Sequence, residues 1–333
     1  MNPNPVLRAL AIFVVTFVAF GLGAPPSAHA QDAAANWPAK PVKLIIPFPP
    51  GGSTDFQGRL LIDSLSRTFN QQFYIEYKPG AGSNIGVAEL ARSAPDGHTM
   101  GWITVASHAI NPTLYAKLPF DHIKDFAPIS MVGTFPNLLV VNNALPVTTV
   151  AELIALLKKD PGKYTFASSG QGTSLHLSGE MFKVMTRTDM VHVPYKGGGP
   201  ALYDVMGGQV HMTFGNMPTV IGQAKGGKLR AIAVTSAERW FTEPEIPTIA
   251  ETVPGFVAMS WHGVAFPAAT PAAIVEKLSA AIQRALATPE LQAGFAKGGS
   301  KATSMTPRQF AAFIREDTDR WAPVIRASGA RID

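Results

Sequence analysis

Two glycines and two hydroxyl side chains stand together at Gly51-Gly52-Ser53-Thr54, after the apolar run 42–46 and before a helical pattern. This order places them where a strand joins a helix, whose first turn offers unpaired backbone N–H groups and a positive dipole end. Glycines carry no Cβ, so a ligand can approach their backbone. The turn therefore suits a carboxylate or another anion, although a simple helix cap by Ser53 or Thr54 would use the same residues.

Similar turns of glycine and small polar residues follow several other strand-like runs. They lie at 80–86, 107–112, 168–174, 195–201 and 215–218. In open α/β sheets the carboxyl ends of the strands are where ligands bind. The recurrence of these turns therefore indicates a binding site assembled from several loops, with Lys196 as a cation beside one of them.

No recognised catalytic constellation accompanies these turns. The spacing at 80–86 is G-x-G-x-x-x-G and lacks the later acidic residue of a dinucleotide site, and neither a phosphate-binding loop nor a G-x-S-x-G elbow is present. His176 and Glu180 stand four residues apart, but no third ligand for zinc is suggested nearby. We therefore expect binding without chemistry, with no metal and no cofactor.

Composition excludes several other classes of protein. The 333 residues hold 28 Lys and Arg against 23 Asp and Glu, and the basic residues form no dense run, so nucleic-acid binding is not expected. There is no cysteine, which excludes disulfides and thiolate chemistry. A chain of this length can bury a core large enough to be stable without disulfides.

The first thirty residues have the pattern of a secretory signal peptide. Residues 1–8 carry one basic side chain and no acid, residues 9–23 are apolar, and 28–30 read Ala-His-Ala. The apolar run is short for a bilayer span, which needs about 20 residues. We predict export to the periplasm with cleavage after Ala30, which leaves a soluble chain that starts at Gln31.

This cleavage can be measured directly. Mass spectrometry of protein extracted from the cell envelope should give an N-terminus at Gln31 or within a residue or two of it. A full-length chain retained in the membrane fraction would contradict the prediction.

Strand-like and helical patterns alternate along the rest of the chain, which predicts an α/β protein with mostly parallel strands. The predicted strands are 42–46, 73–77, 99–104, 138–141, 164–167, 190–193, 210–214 and 229–234, and the predicted helices are 54–70, 85–93, 150–158, 175–185, 201–206, 272–287 and 307–327. About 300 residues suit two domains better than one. Division points near 134–137 and 254–260 predict an inserted domain, with lobe 1 at 31–135 and 259–333 and lobe 2 at 136–258.

A series of motifs resembles the Bug family of periplasmic solute-binding proteins, the receptors of tripartite tricarboxylate transporters. In chain order these motifs are PFPPGGSTD, GAGSNIG, PDGHTM, AINPTLY, SSGQGTSLHLSGE, VPYKGGGPA, GGKLRAIAVTSAER and WHGVAFPAATP. The resemblance covers nearly the whole mature chain. It implies a two-lobed Venus-flytrap fold, of type II, with two hinge crossings that closes on a small carboxylate.

The resemblance also implies partners and site residues. The ligand would be a dicarboxylic, tricarboxylic or aromatic acid, delivered by a monomeric receptor to the large and small subunits of a membrane permease. The implied ligand-binding residues are Gly51, Gly52, Ser53, Thr54, Asp55, Asn84, Ser107, Ser168, Ser169, Gly172, Thr173, Tyr195, Lys196, Gly197 and Asn216. Gly215 stands where many relatives carry Asp, which disfavours a positively charged ligand.

Two other functions are alternatives, and the sequence disfavours only the second. An exported sensor that presents its closed form to a receptor kinase would need the same fold and the same loops. An exported hydrolase would need a nucleophile or metal site, and the motifs supply neither.

Overall fold

The structure is a computed structural model that describes residues 34–333, so the predicted signal peptide lies outside the described residues. Its strands form one sheet in the order β2-β1-β3-β9-β4-β7-β5-β6, with β8 and β10 paired to β4. The strands are β1 Val42–Ile46, β2 Phe73–Tyr77, β3 Thr99–Thr104, β4 Phe126–Val141, β5 Thr165–Ser168, β6 Val191–Pro194, β7 Met212–Asn216, β8 Arg230–Val234, β9 Met259–Pro267 and β10 Lys301–Ala302.

The sheet is parallel at its two flanks and antiparallel at its centre. β1 pairs in parallel with β2 and β3, and β5 pairs in parallel with β6 and β7. The long strands β4 and β9 pair antiparallel with each other and link the two flanks. The α/β prediction is confirmed, while the expected parallel order holds only for strands joined by a crossover helix.

Helices cover the sheet and begin mostly where the sequence predicted. They are α1 Ser53–Phe69, α2 Asn84–Ala91, α3 Asn111–Leu114, α4 Val150–Lys159, α5 Ser174–Thr186, α6 Gly198–Met206, α7 Met217–Lys225, α8 Ala272–Leu286, α9 Pro289–Lys297 and α10 Pro307–Ser328. The helices α3, α7 and α9 were not predicted; all three are short and carry proline in their first turn, where its missing N–H costs nothing. None of the helices within residues 34–333 has the length and apolar composition to cross a bilayer.

β4 is continuous where the sequence suggested a break. Its first part pairs with β9 as far as Pro136 opposite Met259, and from Asn137 onward it pairs with β7 and β8. The strand therefore changes partners without leaving the sheet, because its apolar residues stay buried on both sides. The protein thus has a first lobe built around β1, β2 and β3 and a second lobe built around β5, β6 and β7, joined through β4 and β9.

Each lobe has its own packed interior. In the first lobe Trp102, Ile129 and Val264 are fully buried against α1 and α8. In the second lobe Leu138 and Phe214 are buried among the side chains of α5, α6 and α7. The cluster that contains Phe214 also includes Ile103 of the first lobe, so buried packing continues from one lobe to the other.

Candidate ligand-binding site

The carboxyl ends of the strands converge on a small cavity between the two lobes, which we call the inner cavity. It has a volume of about 30 Å³, enough for roughly two water molecules. Most of its lining residues have polar side chains, and the lining consists of Phe48, Gly52, Ser53, Thr54, Thr104, Val105, Ala106, Ser169, Thr173, Ser174, Gly198, Asn216, Thr219, Ser260 and His262. The lobes are therefore closed upon each other around this small space.

The turn before α1 presents its backbone to the inner cavity. Gly52 is the residue before the first helical turn, no side chain caps the helix, and Ser53 and Thr54 already lie inside it. The alternative in which Ser53 or Thr54 is a simple cap is therefore wrong. A Cβ built on Gly52 would find no atom within 4 Å, so this helix N-terminus opens onto free space.

Asp55 holds this turn in place through hydrogen bonds on the side away from the inner cavity. Its carboxylate accepts hydrogen bonds from the Gly51 N–H at 2.9 Å, the Tyr77 hydroxyl at 2.6 Å and Arg59 Nε at 2.7 Å. Gly51 adopts φ +86, which a residue with a side chain rarely does. Burial, and then the Asp55 hydrogen bond, raise the pKa of Tyr77 to about 12, so its hydroxyl stays protonated and keeps donating.

Two buried hydroxyls in the inner cavity have no hydrogen-bond partner among the described residues. They are Thr54 Oγ1 and Thr104 Oγ1, on residues that are each 3 % exposed. Buried hydroxyls are normally paired, and leaving one unpaired costs about 1–3 kcal/mol. The cavity therefore holds unused hydrogen-bonding capacity beside an open helix N-terminus.

A network of hydrogen bonds joins the cavity to the two connecting strands. Asn216 Nδ2 donates to Asn137 Oδ1 at 2.6 Å and to the hydroxyls of Ser174 and Ser260, both at 3.2 Å. Ser53 in the first lobe donates to Asn216 Oδ1 at 3.1 Å. Because Asn137 lies on β4 and Ser260 on β9, the cavity wall is fixed to the point where the chain passes between lobes.

The second-lobe turn 168–174 is held by its own backbone and by two histidines. Thr173 Oγ1 donates to the Gly170 carbonyl at 2.7 Å, and the Gly172 N–H donates to His176 Nδ1 at 3.3 Å. His192 Nε2 lies 2.6 Å from Ser168 Oγ and its ring stacks on His176. These contacts orient Ser169 and Thr173 toward the inner cavity.

A second, larger cavity adjoins the first on the other side of Phe48 and Ser169, which line both; we call it the outer cavity. Its volume is about 270 Å³. Its lining consists of Phe48, Gly80, Ala81, Gly82, Ser83, Tyr115, Ser169, Gly170, Gln171, Pro194, Tyr195 and Lys196. Lys196 makes no ion pair within residues 34–333 and so brings an uncompensated positive charge.

The structure divides the residues that the sequence singled out into two groups. Six line the inner cavity and two more, Tyr195 and Lys196, line the outer one; the six are Gly52, Ser53, Thr54, Ser169, Thr173 and Asn216. The others lie behind the two cavities and are Gly51, Asp55, Asn84, Ser107, Ser168, Gly172 and Gly197.

The residues of the second group support the loops. Asn84 Oδ1 accepts a hydrogen bond from Asn111 at 2.7 Å, and Ser107 Oγ lies between the Thr104 backbone and His108. Gly172 and Gly197 instead allow the lobes to meet closely, since a Cβ on Gly197 would lie 2.6 Å from Pro49.

Nine residues of the inner cavity were not among the predicted site residues. They are Phe48, Thr104, Val105, Ala106, Ser174, Gly198, Thr219, Ser260 and His262. Thr104 ends a predicted strand, and that position alone could have revealed it. Ser260 and His262 lie at the second connection, which was predicted as a hinge and not as part of the site.

The histidines around the cavities carry no charge at neutral pH. Burial lowers the pKa of His176 to about 4 and those of His192 and His262 to about 3. The His176 ring stacks on the His192 ring, and Glu180 forms an ion pair with Lys183. His176 and Glu180 therefore do not form a metal site together. Within residues 34–333 no three His, Asp or Glu side chains cluster closely enough to hold a metal ion.

The sequence matches the family described as tripartite tricarboxylate transporter family receptor over residues 58–330. This chain belongs to that family. It is a solute-binding receptor of the Bug type, being 36% identical to Protein BugT of Bordetella pertussis over 100% of both chains. The predicted resemblance is thereby confirmed.

Solved structures confirm the two-lobed periplasmic-binding-protein fold of the receptor. Periplasmic binding protein BugD superposes with a TM-score of 0.85 at 31% identity, over 89% of this chain and 99% of that one. Rpa4515 of R. palustris, solved with adipate, superposes with a TM-score of 0.87 at 35% identity, over 89% of this chain and 100% of that one. MatC of Rhodopseudomonas palustris, solved with bound malate, superposes with a TM-score of 0.83 at 29% identity, over 87% of this chain and 100% of that one.

Proposed function

We propose that the receptor captures a small organic acid with two carboxylate groups between its lobes and releases it unchanged. The observation that carries this proposal is the pair of unpartnered hydroxyls, Thr54 Oγ1 and Thr104 Oγ1, beside the open helix N-terminus at Gly52. A carboxylate would accept hydrogen bonds from these hydroxyls and from the backbone, and charged acceptors give the stronger bonds. No nucleophile or metal cluster in the described part of the chain favours a reaction.

The two adjoining cavities suit an elongated diacid. One carboxylate would lie in the inner cavity at the start of α1, and the chain of the ligand would pass Phe48 and Ser169. The other carboxylate would reach Lys196, whose charge has no partner within residues 34–333. Adipate and malate, which are bound by two relatives, are both dicarboxylates.

Binding would require the lobes to separate and close again. The inner cavity, at about 30 Å³, is too small for such an acid. We place the hinge at Asn137 of β4 and at 259–260 of β9, which keeps lobe 1 as 31–135 with 259–333 and lobe 2 as 136–258. A ligand that touches both lobes would shift the population toward the closed form.

We further propose how the receptor operates in the cell. The family description names the receptor of a tripartite transporter, which supports docking on the large and small subunits of a permease. The monomeric state and cleavage after Ala30 stay predictions from the sequence. The closed form would be the one that the permease recognises.

Thermal unfolding of ligand-stripped protein with a panel of organic acids tests the binding proposal. A micromolar diacid at millimolar concentration should raise the free energy of unfolding by roughly 4 kcal/mol, following RT ln(1 + [L]/Kd). A monoacid of the same length should raise it less, because it leaves Lys196 unpaired. Equal responses to monoacids and diacids would contradict the two-carboxylate assignment, and turnover of the acid during incubation would indicate an enzyme.

A further inference from the structure

His262 is the one histidine in the lining of the inner cavity, and its ring is held rigidly. It lies on β9 opposite Thr104 of β3, and it is 3 % exposed. Its ring meets Trp102 and Phe135 edge-on, with centroids 5.4 and 4.7 Å away. Such packing fixes which ring atoms can face a ligand.

A buried hydrogen-bond chain favours a proton on one of the two ring nitrogens. His262 Nδ1 lies 2.9 Å from Gln57 Oε1, and Gln57 Nε2 donates to Ser300 Oγ at 2.8 Å. The amide oxygen is assigned to face the imidazole, and with this assignment Nδ1 is the donor. The neutral ring then has a bare lone pair on Nε2, which makes no hydrogen bond within residues 34–333.

The surroundings keep the ring uncharged. Burial lowers the pKa of His262 to about 3. No acidic side chain lines the inner cavity, so nothing in its wall offsets this effect. At neutral pH Nε2 is therefore a hydrogen-bond acceptor in a cavity whose other polar groups are mainly hydroxyls and backbone N–H groups.

We infer that His262 selects acids that also carry a hydroxyl group, because a ligand O–H can donate to the acceptor at Nε2 and a carboxylate cannot. This inference rests on the proposed function and narrows its ligand class to hydroxy acids. A carboxylate oxygen placed at Nε2 would bring two hydrogen-bond acceptors together, which repel each other. A hydroxyl at the same place would donate a hydrogen bond to Nε2. Sites built around a hydrogen bond discriminate strongly against ligands that lack the partner group.

Calorimetry with matched acids tests this inference. The pairs are succinate with malate, adipate with 2- and 3-hydroxyadipate, and butyrate with 3-hydroxybutyrate. In at least one pair the hydroxy acid should have a Kd at least about ten-fold lower than its parent, the scale of one buried hydrogen bond. His262→Phe, which keeps an aromatic ring between Trp102 and Phe135, should reduce that ratio to below about three-fold.

A matched control is His262→Gln, which keeps a side-chain acceptor and should retain part of the preference. Nitrogen-15 NMR of the histidines in the unaltered protein gives a test that needs no variant: Nδ1 should be protonated and Nε2 bare, with and without the hydroxy acid. A proton on Nε2 would overturn the inference, since the ring would then be a donor.

The outcomes separate this inference from the proposed function. If acids bind but no hydroxy acid is preferred, His262 does not select hydroxy acids and the proposed function stands. If hydroxy acids are preferred and the preference is unchanged in His262→Phe, another group binds the hydroxyl and the inference is wrong. If no acid in the panel binds, the proposed function fails and the inference fails with it.

Discussion

Replacing Gly52 with valine is expected to raise the Kd for the bound acid about a hundred-fold or more. The valine side chain would project into the space above the first turn of α1, where a Cβ has no neighbour within 4 Å. It would thus displace the carboxylate from the backbone N–H groups. Losing one or two charge-assisted hydrogen bonds costs about 3 kcal/mol or more, which corresponds to this change in Kd.

The fold should tolerate this substitution, so binding can be measured cleanly. Gly52 has φ −99 and ψ −178, an extended conformation that valine adopts readily. Gly222→Val on α7 is a matched control, because a Cβ at Gly222 also has no neighbour within 4 Å. An unchanged Kd for Gly52→Val by calorimetry would show that the ligand does not approach this backbone.

Gly197→Ser is expected to hinder closure of the lobes and to raise the Kd by about ten- to a hundred-fold. A Cβ at Gly197 would lie 2.6 Å from the Cγ and Cδ atoms of Pro49 in the opposite lobe. Forcing an extra atom into a tight contact costs about 1–3 kcal/mol. Because this contact joins the two lobes, the open form should gain in population.

Position 197 suits this test better than other contacts between lobes. Its φ of 176 is ordinary extended backbone, and serine is favoured before a helix, so neither lobe is strained. Gly82 and Gly172 also face the opposite lobe, but their positive φ would add strain. Small-angle scattering should find the variant more expanded than the unaltered receptor at equal ligand concentration, with Gly222→Ser as control. If the variant and the unaltered receptor have the same radius of gyration, serine at this position does not hinder closure.

Much of the fold could be predicted because its segments have strong local patterns. The strand at 42–46 and the helix after it were placed to within a residue or two, since apolar runs and glycine turns mark their ends. The centre of the sheet could not be predicted in the same way. β4 runs unbroken through Pro136, where its partner changes from β9 to β7, and such long-range pairing leaves no local signal.

The site was predictable where loops carry glycine and hydroxyl residues together. Gly52, Ser53 and Thr54 were found because a strand–helix turn is a local motif. His262 and Ser260 were not found, since they lie at the predicted second connection between the lobes and not in a turn of glycine and hydroxyl residues. Their role emerges only when β9 is paired with β3 and β4, which places them beside loops from distant parts of the chain.

The placement of β9 between β3 and β4 bears on the order in which the chain assembles. β9 starts at Met259, so the sheet of the first lobe lacks its central strand until most of the polypeptide has crossed the membrane. The strands β5, β6 and β7 lie close together in sequence, and contacts between near neighbours form sooner than distant ones. The second lobe can thus fold during translocation. The first lobe is synthesised earlier, but its sheet is complete only after β9 has arrived.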